Sequence, residues 1–480
     1  MSRPTRYARP TAALTAFLFF LCSQMPVWAA FEPRRSDEQL YGQGRDANSL
    51  QDSFLKKTRL LQQKQEIEQL QEELQAAAQR QATVKPAGKP GGNPPPPGTS
   101  YPNDPYYNSS DTWGQGYADE WGVKKIGLDA SVWNLYKGAG VTIGIVDTGL
   151  IFGHEDLAGN VWQNSLELNG VAGVDDDGDG YVDDVRGWDF VDNDNNPTDL
   201  NGHGSHVAGI AAAVGNNSKG IIGVAPLAKV MGVRVLDRNG SGTLQAVADG
   251  IRYAARAGAQ VINLSLGAAN LDAGSLSLLQ GAVDYAVSLG RIIVAAAGNS
   301  NANVDTFSPA NLNNVIAVGA TDAYDTRASF SNYGSKLFIS APGVDILSLG
   351  SRLVNIGTKV TNDYYRASGT SMASPFVTGA VALLLNKYPS ATLSEIRTLL
   401  ANGATDLGAT GWDPYYGYGR LNIAASLGLA GSTATYSGVS SSGYSAGSGL
   451  TLSVSGPEGE APVYFLKRRL DDELLLGPVS

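Results

Sequence analysis

Between about residues 101 and 429, short apolar runs rich in β-branched residues alternate with Ala-rich segments whose spacing is helical. The Ala-rich segments cover residues 204–213, 244–257 and 276–289. Five of the apolar runs are predicted strands: VTIGIV (141–146), AKVMGVRVL (228–236), AQVINLSL (259–266), GRIIVAAA (290–297) and NVIAVGA (314–320). Continuously apolar strands separated by helices indicate a parallel sheet buried on both faces. We therefore predict an α/β fold with a mostly parallel central sheet covered by helices on both faces.

The N-terminus has the pattern of a secretory signal. Arg3, Arg6 and Arg9 are followed by an apolar run over 11–22 that is too short to cross a bilayer comfortably, and then by a small-residue cleavage site ending at Ala29. We therefore predict a signal peptide over 1–29, a secreted product that is extracellular, periplasmic or on the cell surface, and no transmembrane segment once the signal is removed.

Three further segments flank the strand-rich region. Residues 30–84 include Leu60, Ile67 and Leu74 at seven-residue spacing, which predicts an amphipathic N-terminal helix that docks on a partner or self-associates weakly. A Pro/Gly-rich linker covers 85–100. A Ser/Gly-rich and β-like C-terminal segment covers 430–480, and we expect it to form a short appendage.

Charge and cysteine content narrow the class of partner. The formal net charge is −10, which disfavours nucleic acid and suits cations. The only cysteine, Cys22, lies inside the predicted signal, so the mature protein has no disulfide. An exported chain without disulfides needs another way to fix its loops, and bound metal is one candidate.

Four polar residues occur where predicted strands end or helices begin. They are Asp147 in VDTG, His203 in NGHGSHVAG, Asn299 in AAAGNS and Ser371 in SGTSMASP. Taken singly, each is more simply a turn or helix-capping residue, and Ser371 in particular has the pattern of a cap.

Taken together, these residues offer the parts that acyl transfer needs. An imidazole accepts the proton of an attacking hydroxyl, and a carboxylate orients the imidazole. An amide and a helix N-terminus stabilise the oxyanion. In a parallel sheet, groups that follow the strands lie at one edge, so we expect the four side chains to converge.

The blocks VTIGIVDTG, NGHGSHVAGIAA, INLSLG, VAAAGNS and GTSMASP resemble those of the subtilisin-like serine peptidases, the subtilases. The segments PNDPYY, GWDFVDNDNNP, NNSKGIIGVAP and VRVLDRNGSGT resemble the thermitase-like branch most. The resemblance covers about 101–427 and implies a subtilisin-like peptidase domain over 101–429. It implies that Ser371 is the nucleophile, His203 the base and Asp147 its partner, with Asn299 in the oxyanion hole. His206, one helical turn beyond His203, is expected to be structural.

The same resemblance implies an endopeptidase for protein or peptide substrates, bound as an added strand, with no organic cofactor. Small pocket walls would leave room for a large apolar side chain at P1, the substrate residue before the scissile bond. Glycines at these positions would equally serve close strand packing. The implied substrate-binding residues are Gly240, Ser241, Gly242, Ser265, Leu266, Gly267, Ala297 and Gly298.

In the acidic stretch 173–196, aspartates alternate with other residues, a spacing that an ordinary solvated loop does not require. Asp175, Asp177 and Asp179 recur at every second residue and are followed by Gly180, as in the first half of an EF-hand loop. Arg186 stands where the closing Glu belongs, so we do not expect a true EF-hand, and we expect Asp184 to be the closing group instead. Asp183, beside it, is a further candidate ligand. The stretch predicts a structural Ca²⁺ site.

The family resemblance implies two more calcium sites. One contains Asp189, Asp192 and Asp194. The other ties down the N-terminal part of the domain and consists of Asp104, Asp156 and Asn217 side chains with carbonyl groups of Val214, Lys219 and Ile221.

Two rival functions stay open. Phe376 replaces the histidine that subtilases carry five residues after the nucleophile, which would fit a catalytically weak or dead surface or scaffold protein. His203 and His206 would fit a metallohydrolase, although HExxH is absent. Residues 31–100 do not resemble the usual pro-segment, and we expect them to be removed or displaced on maturation.

Overall fold

The computed structural model describes residues 102–429, together with the strands Tyr464–Arg468 and Leu474–Pro478, which pair antiparallel. The predicted signal (1–29), helical segment (30–84), linker (85–100) and the rest of the C-terminal segment (430–480) lie outside the described residues.

A seven-stranded, wholly parallel sheet forms the centre of the domain, in the order β2-β3-β1-β4-β6-β8-β9. This confirms the predicted parallel sheet and adds two short strands at its edges that were not predicted. The strands are β1 (Thr142–Asp147), β2 (Gly187–Asp189), β3 (Lys229–Arg234), β4 (Val261–Leu264), β6 (Ile292–Ala296), β8 (Val315–Thr321) and β9 (Ile339–Pro342), while β5 (Ala268–Ala269) and β7 (Phe307–Ser308) form a separate antiparallel pair.

Helices cover both faces of this sheet, as predicted. Ile143 and Ile145 of β1 belong to a core shared with α5 and α8, whereas Val146 belongs to a second core on the other face with α6 and α7. The helices are α1 (Pro105–Asn108), α2 (Trp121–Lys125), α3 (Ala130–Trp133), α4 (Ser165–Asn169), α5 (His203–Ala212), α6 (Leu244–Arg256), α7 (Ala273–Ser288), α8 (Thr370–Lys387), α9 (Leu393–Gly403) and α10 (Ile423–Ser426).

The helix α8 lies in the interior rather than at the surface. Fifteen of its 18 residues are buried, so it has no polar face of the kind that a surface helix presents. It packs against β4, β6, β8 and α5. Its first turn therefore has a position fixed by the core of the domain.

Register brings the strand ends together at one edge. Asp147 at the end of β1 pairs with Arg234 of β3, and Leu264 at the end of β4 pairs with Ala295 of β6. Ligands of parallel α/β sheets bind outside such carboxyl ends.

A small antiparallel sheet leads into α8. It has the order β10-β12-β11, with β10 (Ile346–Leu349), β11 (Thr358–Lys359) and β12 (Tyr364–Ala367). In the part of the chain that the structure describes, none of the helices has the length and apolarity needed to cross a membrane.

Candidate active site

Asp147 and His203 are in direct contact. Asp147, the last residue of β1, is fully buried, and its Oδ1 lies 2.7 Å from Nδ1 of His203, the first residue of α5. The Asp147 carboxylate also accepts a hydrogen bond from the backbone N–H of Thr148. A Cβ on Gly204 would lie 2.3 Å from the carbonyl oxygen of Gly149, so glycine at this position allows α5 to approach the end of β1 closely.

The surroundings of His203 make its ring more basic than usual. Burial by itself lowers the pKa of the imidazole. The charge of Asp147, its hydrogen bond and the charge of Asp199 raise the pKa, and together they outweigh burial, so the pKa of His203 is above 6.5. A ring held in this way is suited to accept a proton at neutral pH.

His206 does not face the same contacts. Its ring is fully buried, and Nε2 lies 3.1 Å from the carbonyl oxygen of Tyr365. Burial, with a smaller effect from the neighbouring His203 charge, lowers the pKa of His206 to about 3. The ring is therefore neutral at ordinary pH, as expected of a structural histidine.

Ser371 is the second residue of α8, and it is not the helix cap. The N-cap is Gly369, which has no side chain to cap the helix, and the N–H of Thr370 is bound by Asn299 instead. The Ser371 hydroxyl instead donates to the carbonyl oxygen of Ser265 at 3.0 Å, and the Ser265 hydroxyl donates to the carbonyl oxygen of Ser371 at 2.8 Å. The helix-capping interpretation of Ser371 is thus wrong.

Pro375 explains why the Ser371 carbonyl is available. Proline has no N–H, so residue 375 cannot donate to the carbonyl four residues earlier, which is that of Ser371. The Ser265 hydroxyl supplies the missing donor. Ser265 is held in turn by Nδ2 of buried Asn263, whose Oδ1 accepts from Ser374 and Thr378 of the same helix. This network fixes the first turn of α8 on the end of β4.

Asn299 lies beside the first turn of α8. Its Oδ1 accepts from both the backbone N–H and the hydroxyl of Thr370, each at 2.8 Å. A Cβ on Gly369 would lie 3.4 Å from Asn299 Nδ2 and 3.6 Å from the Ser371 backbone nitrogen. The side-chain amide and the Ser371 N–H are therefore neighbouring donors.

His203 lines a cleft, and Ser371 is hydrogen-bonded to another residue of its lining. A cavity of about 430 Å³ is lined by His203 and Ser265, and Ser265 carries the two hydrogen bonds to Ser371. Among the described residues, the Ser371 hydroxyl hydrogen-bonds with the Ser265 carbonyl and not with the His203 ring. Hydrogen bonds between a hydroxyl and its base are often long or absent without substrate and tighten only in the substrate complex.

Six of the eight predicted substrate-binding residues line this cavity: Gly240, Ser241, Gly242, Ser265, Leu266 and Gly267. Ala297 and Gly298 do not line it. They directly follow β6.

Phe307, which sequence reasoning missed, contacts both predicted pocket walls. A Cβ on Gly267 would lie 2.5 Å from its ring, and a Cβ on Gly298 would lie 3.0 Å from it. The half-buried ring therefore occupies part of the space that the two glycines leave.

The first predicted metal group is closed by a residue outside the acidic loop. Ligand oxygens of Glu167, Asp175 and Asp177 lie within 4.8 Å of one another, so this group could hold a metal ion. Buried Glu167 on α4 accepts from the backbone N–H groups of Asp176, Asp177 and Asp183. Glu167 lies before the acidic loop begins, and the EF-hand pattern places no ligand at such a position.

Asp184 does not close this group as predicted. Its carboxylate accepts from the Asn164 side chain and the Tyr253 hydroxyl, and burial raises its pKa to about 7. Asp179 faces Arg256, and Asp183 accepts from the backbone of Gly173. These three aspartates stabilise the loop rather than the carboxylate cluster.

The group near the N-terminal end of the domain fits a divalent cation. Asp104 and Asp156 are fully buried and share Asn217, which donates to both. Burial raises the pKa of Asp104 to about 6, and the Asp156 charge adds to this rise. Glu120, also buried, accepts from the N–H of Ile222, beside the Ile221 N–H that Asp156 accepts.

Burial, with the charges of Asp104 and Asp156, raises the pKa of Glu120 well above its usual value. Within residues 102–429, the carbonyl oxygens of Val214, Lys219 and Ile221 accept no hydrogen bond. Buried carboxylates and free carbonyl groups are hard oxygen donors of the kind that Ca²⁺ prefers. The sequence did not point to Glu120, because a single Glu in DEWGV belongs to no recognisable spacing of metal ligands.

The third predicted group contains its own cation. The buried guanidinium of Arg234 binds the carboxylates of both Asp189 and Asp192. Asp194 is engaged by the N–H of Asn196. One guanidinium offsets only one of the three aspartate charges, so Arg234 compensates the charge of this group in part.

Phe376 packs away from the cleft. It is 1% exposed on α8, and a Cβ on Gly122 of α2 would lie 2.5 Å from its ring. The substitution of the usual histidine thus changes a packing contact between α2 and α8, and it leaves Asp147, His203 and Ser371 in place.

Comparison with known proteins agrees with this geometry. The family model Peptidase_S8, described as the Subtilase family, matches residues 138–419. The chain belongs to the subtilase family. This subtilase is a serine-type endopeptidase, a hydrolase of peptide bonds.

Curated relatives and a solved structure support the assignment. The subtilase is 45% identical to Thermophilic serine proteinase of Bacillus sp. (strain AK1) over 322 residues, which are 67% of this chain and 68% of the relative. It is 44% identical to Thermitase of Thermoactinomyces vulgaris over 321 residues, covering 67% of this chain and 97% of the relative. The solved structure of a protease from Pseudoalteromonas arctica PAMC 21717 matches with a TM-score of 0.54 and 30% identity, over 68% of this chain and 99% of that one.

Proposed function

We propose that this subtilase is a secreted, calcium-stabilised endopeptidase that acts through Asp147, His203 and Ser371. The single observation that carries the assignment of roles is the 2.7 Å contact between His203 Nδ1 and the fully buried Asp147. That contact leaves His203 Nε2 as the nitrogen available to a hydroxyl, and it places a negative charge behind the ring.

In the proposed reaction, Ser371 Oγ attacks the scissile carbonyl carbon and its proton passes to His203 Nε2. The tetrahedral oxyanion accepts hydrogen bonds from Asn299 Nδ2 and the Ser371 N–H. His203 then donates the proton to the leaving amine. Water, deprotonated by the same ring, attacks the acyl-enzyme, and His203 returns that proton to Ser371 Oγ as the carboxylic acid product leaves.

Substrate is proposed to bind as an extra strand between 240–242 and 265–267. Backbone groups of Gly242 and Gly267 make no hydrogen bond to other residues within 102–429, so they are available for strand pairing. Gly298 and Gly267 leave room at P1, and the Phe307 ring supplies an apolar surface there. We therefore propose that the enzyme prefers an apolar P1 residue. Because glycines form the walls of the pocket, we propose that this residue is large.

Calcium is proposed at two places. One is the buried Asp104–Asp156 group, where within residues 102–429 no guanidinium or ammonium group forms an ion pair with either carboxylate. The other is the Glu167–Asp175–Asp177 group. Ca²⁺ would supply the positive charge that each group lacks, and it would link the loops that carry these residues.

Secretion and maturation are also proposals. The N-terminal residue pattern supports export, and a cleavable Pro/Gly linker supports removal of residues 30–100 on maturation. Mass spectrometry of the secreted, active protein is the test, and active material that still starts near residue 30 would contradict the removal.

A fluorophosphonate probe tests the proposed roles against the scaffold alternative. We expect matured wild type to be labelled at Ser371, and Ser371→Ala to be unlabelled and inactive on a peptide library. A scaffold protein would show no labelling and no cleavage. Activity that survives brief EDTA treatment but is lost with the probe would separate this function from a metallohydrolase, whose catalytic metal EDTA removes.

A further inference from the structure

Asp199 is a fully buried carboxylate four residues before His203. Its Oδ1 accepts from the Thr148 hydroxyl at 2.9 Å and from the backbone N–H groups of Asn201 and Gly202. Its Oδ2 accepts from the N–H and the hydroxyl of Ser205, at 2.9 and 2.6 Å. Five donors converge on this side chain, so both of its carboxylate oxygens are hydrogen-bonded within the domain.

The same contacts join the two elements that carry Asp147 and His203. Thr148 follows Asp147 at the end of β1, and its hydroxyl both donates to Asp199 and accepts from the N–H of Gly204, at 2.9 Å each. Asp199 also binds the first turn of α5 through Ser205. One carboxylate therefore connects the end of β1 with the start of α5.

We infer that Asp199 is a positioning residue for the proton transfer: it holds His203 against Asp147 and adds a second negative charge behind the imidazolium. The inference rests on the proposed function, in which His203 is the base. It concerns a carboxylate that touches neither substrate nor the reacting atoms and acts through His203.

The charge of Asp199 and its hydrogen bonds make separable contributions, the first to the basicity of His203 and the second to its position. The ionisable groups that face His203 are Asp147, Asp199 and His206, and His206 is neutral at ordinary pH. Removing the Asp199 charge makes the imidazolium less stable, so the ring protonates at lower pH. Removing only the Thr148 link leaves that charge in place but loosens the junction between β1 and α5.

The test compares pH profiles of kcat/KM for wild type, Asp199→Asn and Thr148→Val. For Asp199→Asn we expect the acid limb to move down by about half a pH unit or more, together with a lower kcat. For Thr148→Val we expect kcat to fall about tenfold with the acid limb unmoved, because small misplacements of reacting groups cost rate steeply. If Asp199→Asn does not fold, Thr148→Val still decides the positioning, since an unchanged kcat would overturn it.

Asp129→Asn is the matched control. Asp129 likewise accepts from the N–H and hydroxyl of one serine, Ser131, at the start of α3, but it is exposed and contributes nothing to the basicity of His203. We expect its kinetics to equal those of wild type.

Fluorophosphonate labelling of wild-type Ser371 separates the two possible failures. If wild type is labelled and both Asp199→Asn and Thr148→Val keep the wild-type kcat and acid limb, the inference about Asp199 is wrong and the proposed function stands. If wild type is not labelled, the proposed function and the inference both fail.

Discussion

Ser265 and Ser371 exchange two hydrogen bonds that run in opposite directions. The hydroxyl of each serine donates to the carbonyl oxygen of the other, at 3.0 Å from Ser371 and 2.8 Å from Ser265. The second bond exists because Pro375 cannot donate to the Ser371 carbonyl along the helix. A proline within α8 and a serine after β4 thus determine together how Ser371, the proposed nucleophile, is held.

The hydrogen bonds between Ser265 and Ser371 predict that substitutions of Ser265 and Pro375 have non-additive effects on stability. Ser265→Ala leaves the Ser371 carbonyl without a donor, so we expect a loss of about 1–2 kcal/mol in unfolding free energy and a lower kcat. Pro375→Ala in that background restores an N–H that can donate to the carbonyl, so the double variant should recover about 1 kcal/mol. Denaturant unfolding of the four proteins measures the coupling. Ser348→Ala, which removes a hydroxyl bonded to the His206 carbonyl, should be additive with Pro375→Ala.

Asn299 gives a second prediction. For Asn299→Ala we expect kcat to fall about 100- to 1,000-fold with little change in KM, a magnitude known from loss of the oxyanion-hole amide in subtilisin itself. The physical reason is that the Nδ2 donor contributes only when charge develops on the substrate oxygen. Steady-state kinetics on one peptide substrate measures both constants. A higher KM with unchanged kcat would instead assign Asn299 to substrate binding.

The pH dependence follows from the basicity of His203. The ring must be neutral to accept the Ser371 proton, and its pKa is raised above 6.5 by Asp147 and Asp199 against the opposing effect of burial. Activity should therefore be lost as pH falls, with the acid limb of kcat/KM centred above 6.5. Asp147→Asn should move that limb downward and reduce kcat by roughly 10,000-fold, as in triad proteases generally. An acid limb at or below 6.5 in wild type would contradict the arrangement.

Calcium removal tests the buried carboxylates near the N-terminal end of the domain. At about 100 times the dissociation constant, we expect Ca²⁺ to raise Tm by about 5–10 °C relative to EDTA. Glu120→Gln removes a carboxyl group whose charged form is disfavoured by burial and by Asp104 and Asp156, so the variant should be more stable than wild type in EDTA and gain less from Ca²⁺. Calorimetry with and without Ca²⁺ measures both values.

The control for this experiment is Glu395→Gln, which alters an exposed helix-capping residue on α9 and should leave the gain from Ca²⁺ unchanged. If Glu120→Gln shows the full wild-type gain from Ca²⁺, the Glu120 charge has no part in that site.

Phe307 predicts a change of specificity. Its ring fills part of the space between Gly267 and Gly298, so Phe307→Ala should favour larger P1 residues. We expect the ratio of kcat/KM for P1 Phe over P1 Ala to rise about tenfold or more. Phe190→Ala is the control, since that half-buried ring packs on Tyr181 and Tyr253 instead. An unchanged ratio would place the P1 side chain elsewhere.

The central sheet and the strand-end residues could be predicted because both follow from local pattern. Continuous apolar runs indicate buried parallel strands, and groups that follow such strands meet at one edge. Asp147 at the end of β1 and Asn299 after β6 were found for that reason. The edge strand β2 was not, because its three residues, Gly187–Asp189, lie within an acidic stretch whose composition suggests a loop.

The residues that sequence reasoning missed depend on contacts between distant segments. Glu167 becomes a candidate ligand only when the acidic loop folds back over α4. Arg234 neutralises Asp189 from a neighbouring strand, 45 residues away. Phe307 reaches Gly267 through the pairing of β5 with β7. None of these contacts has a fixed spacing that a sequence pattern can carry.

Ser371, the proposed nucleophile, belongs to a helix that lies almost wholly inside the domain. A rigid interior resists partial displacement, so Ser371 has no local way to drift out of alignment while the rest of the molecule stays intact. Loss of activity on heating should then occur in step with cooperative melting of the whole domain, and a simple turnover assay could serve to count the surviving native molecules.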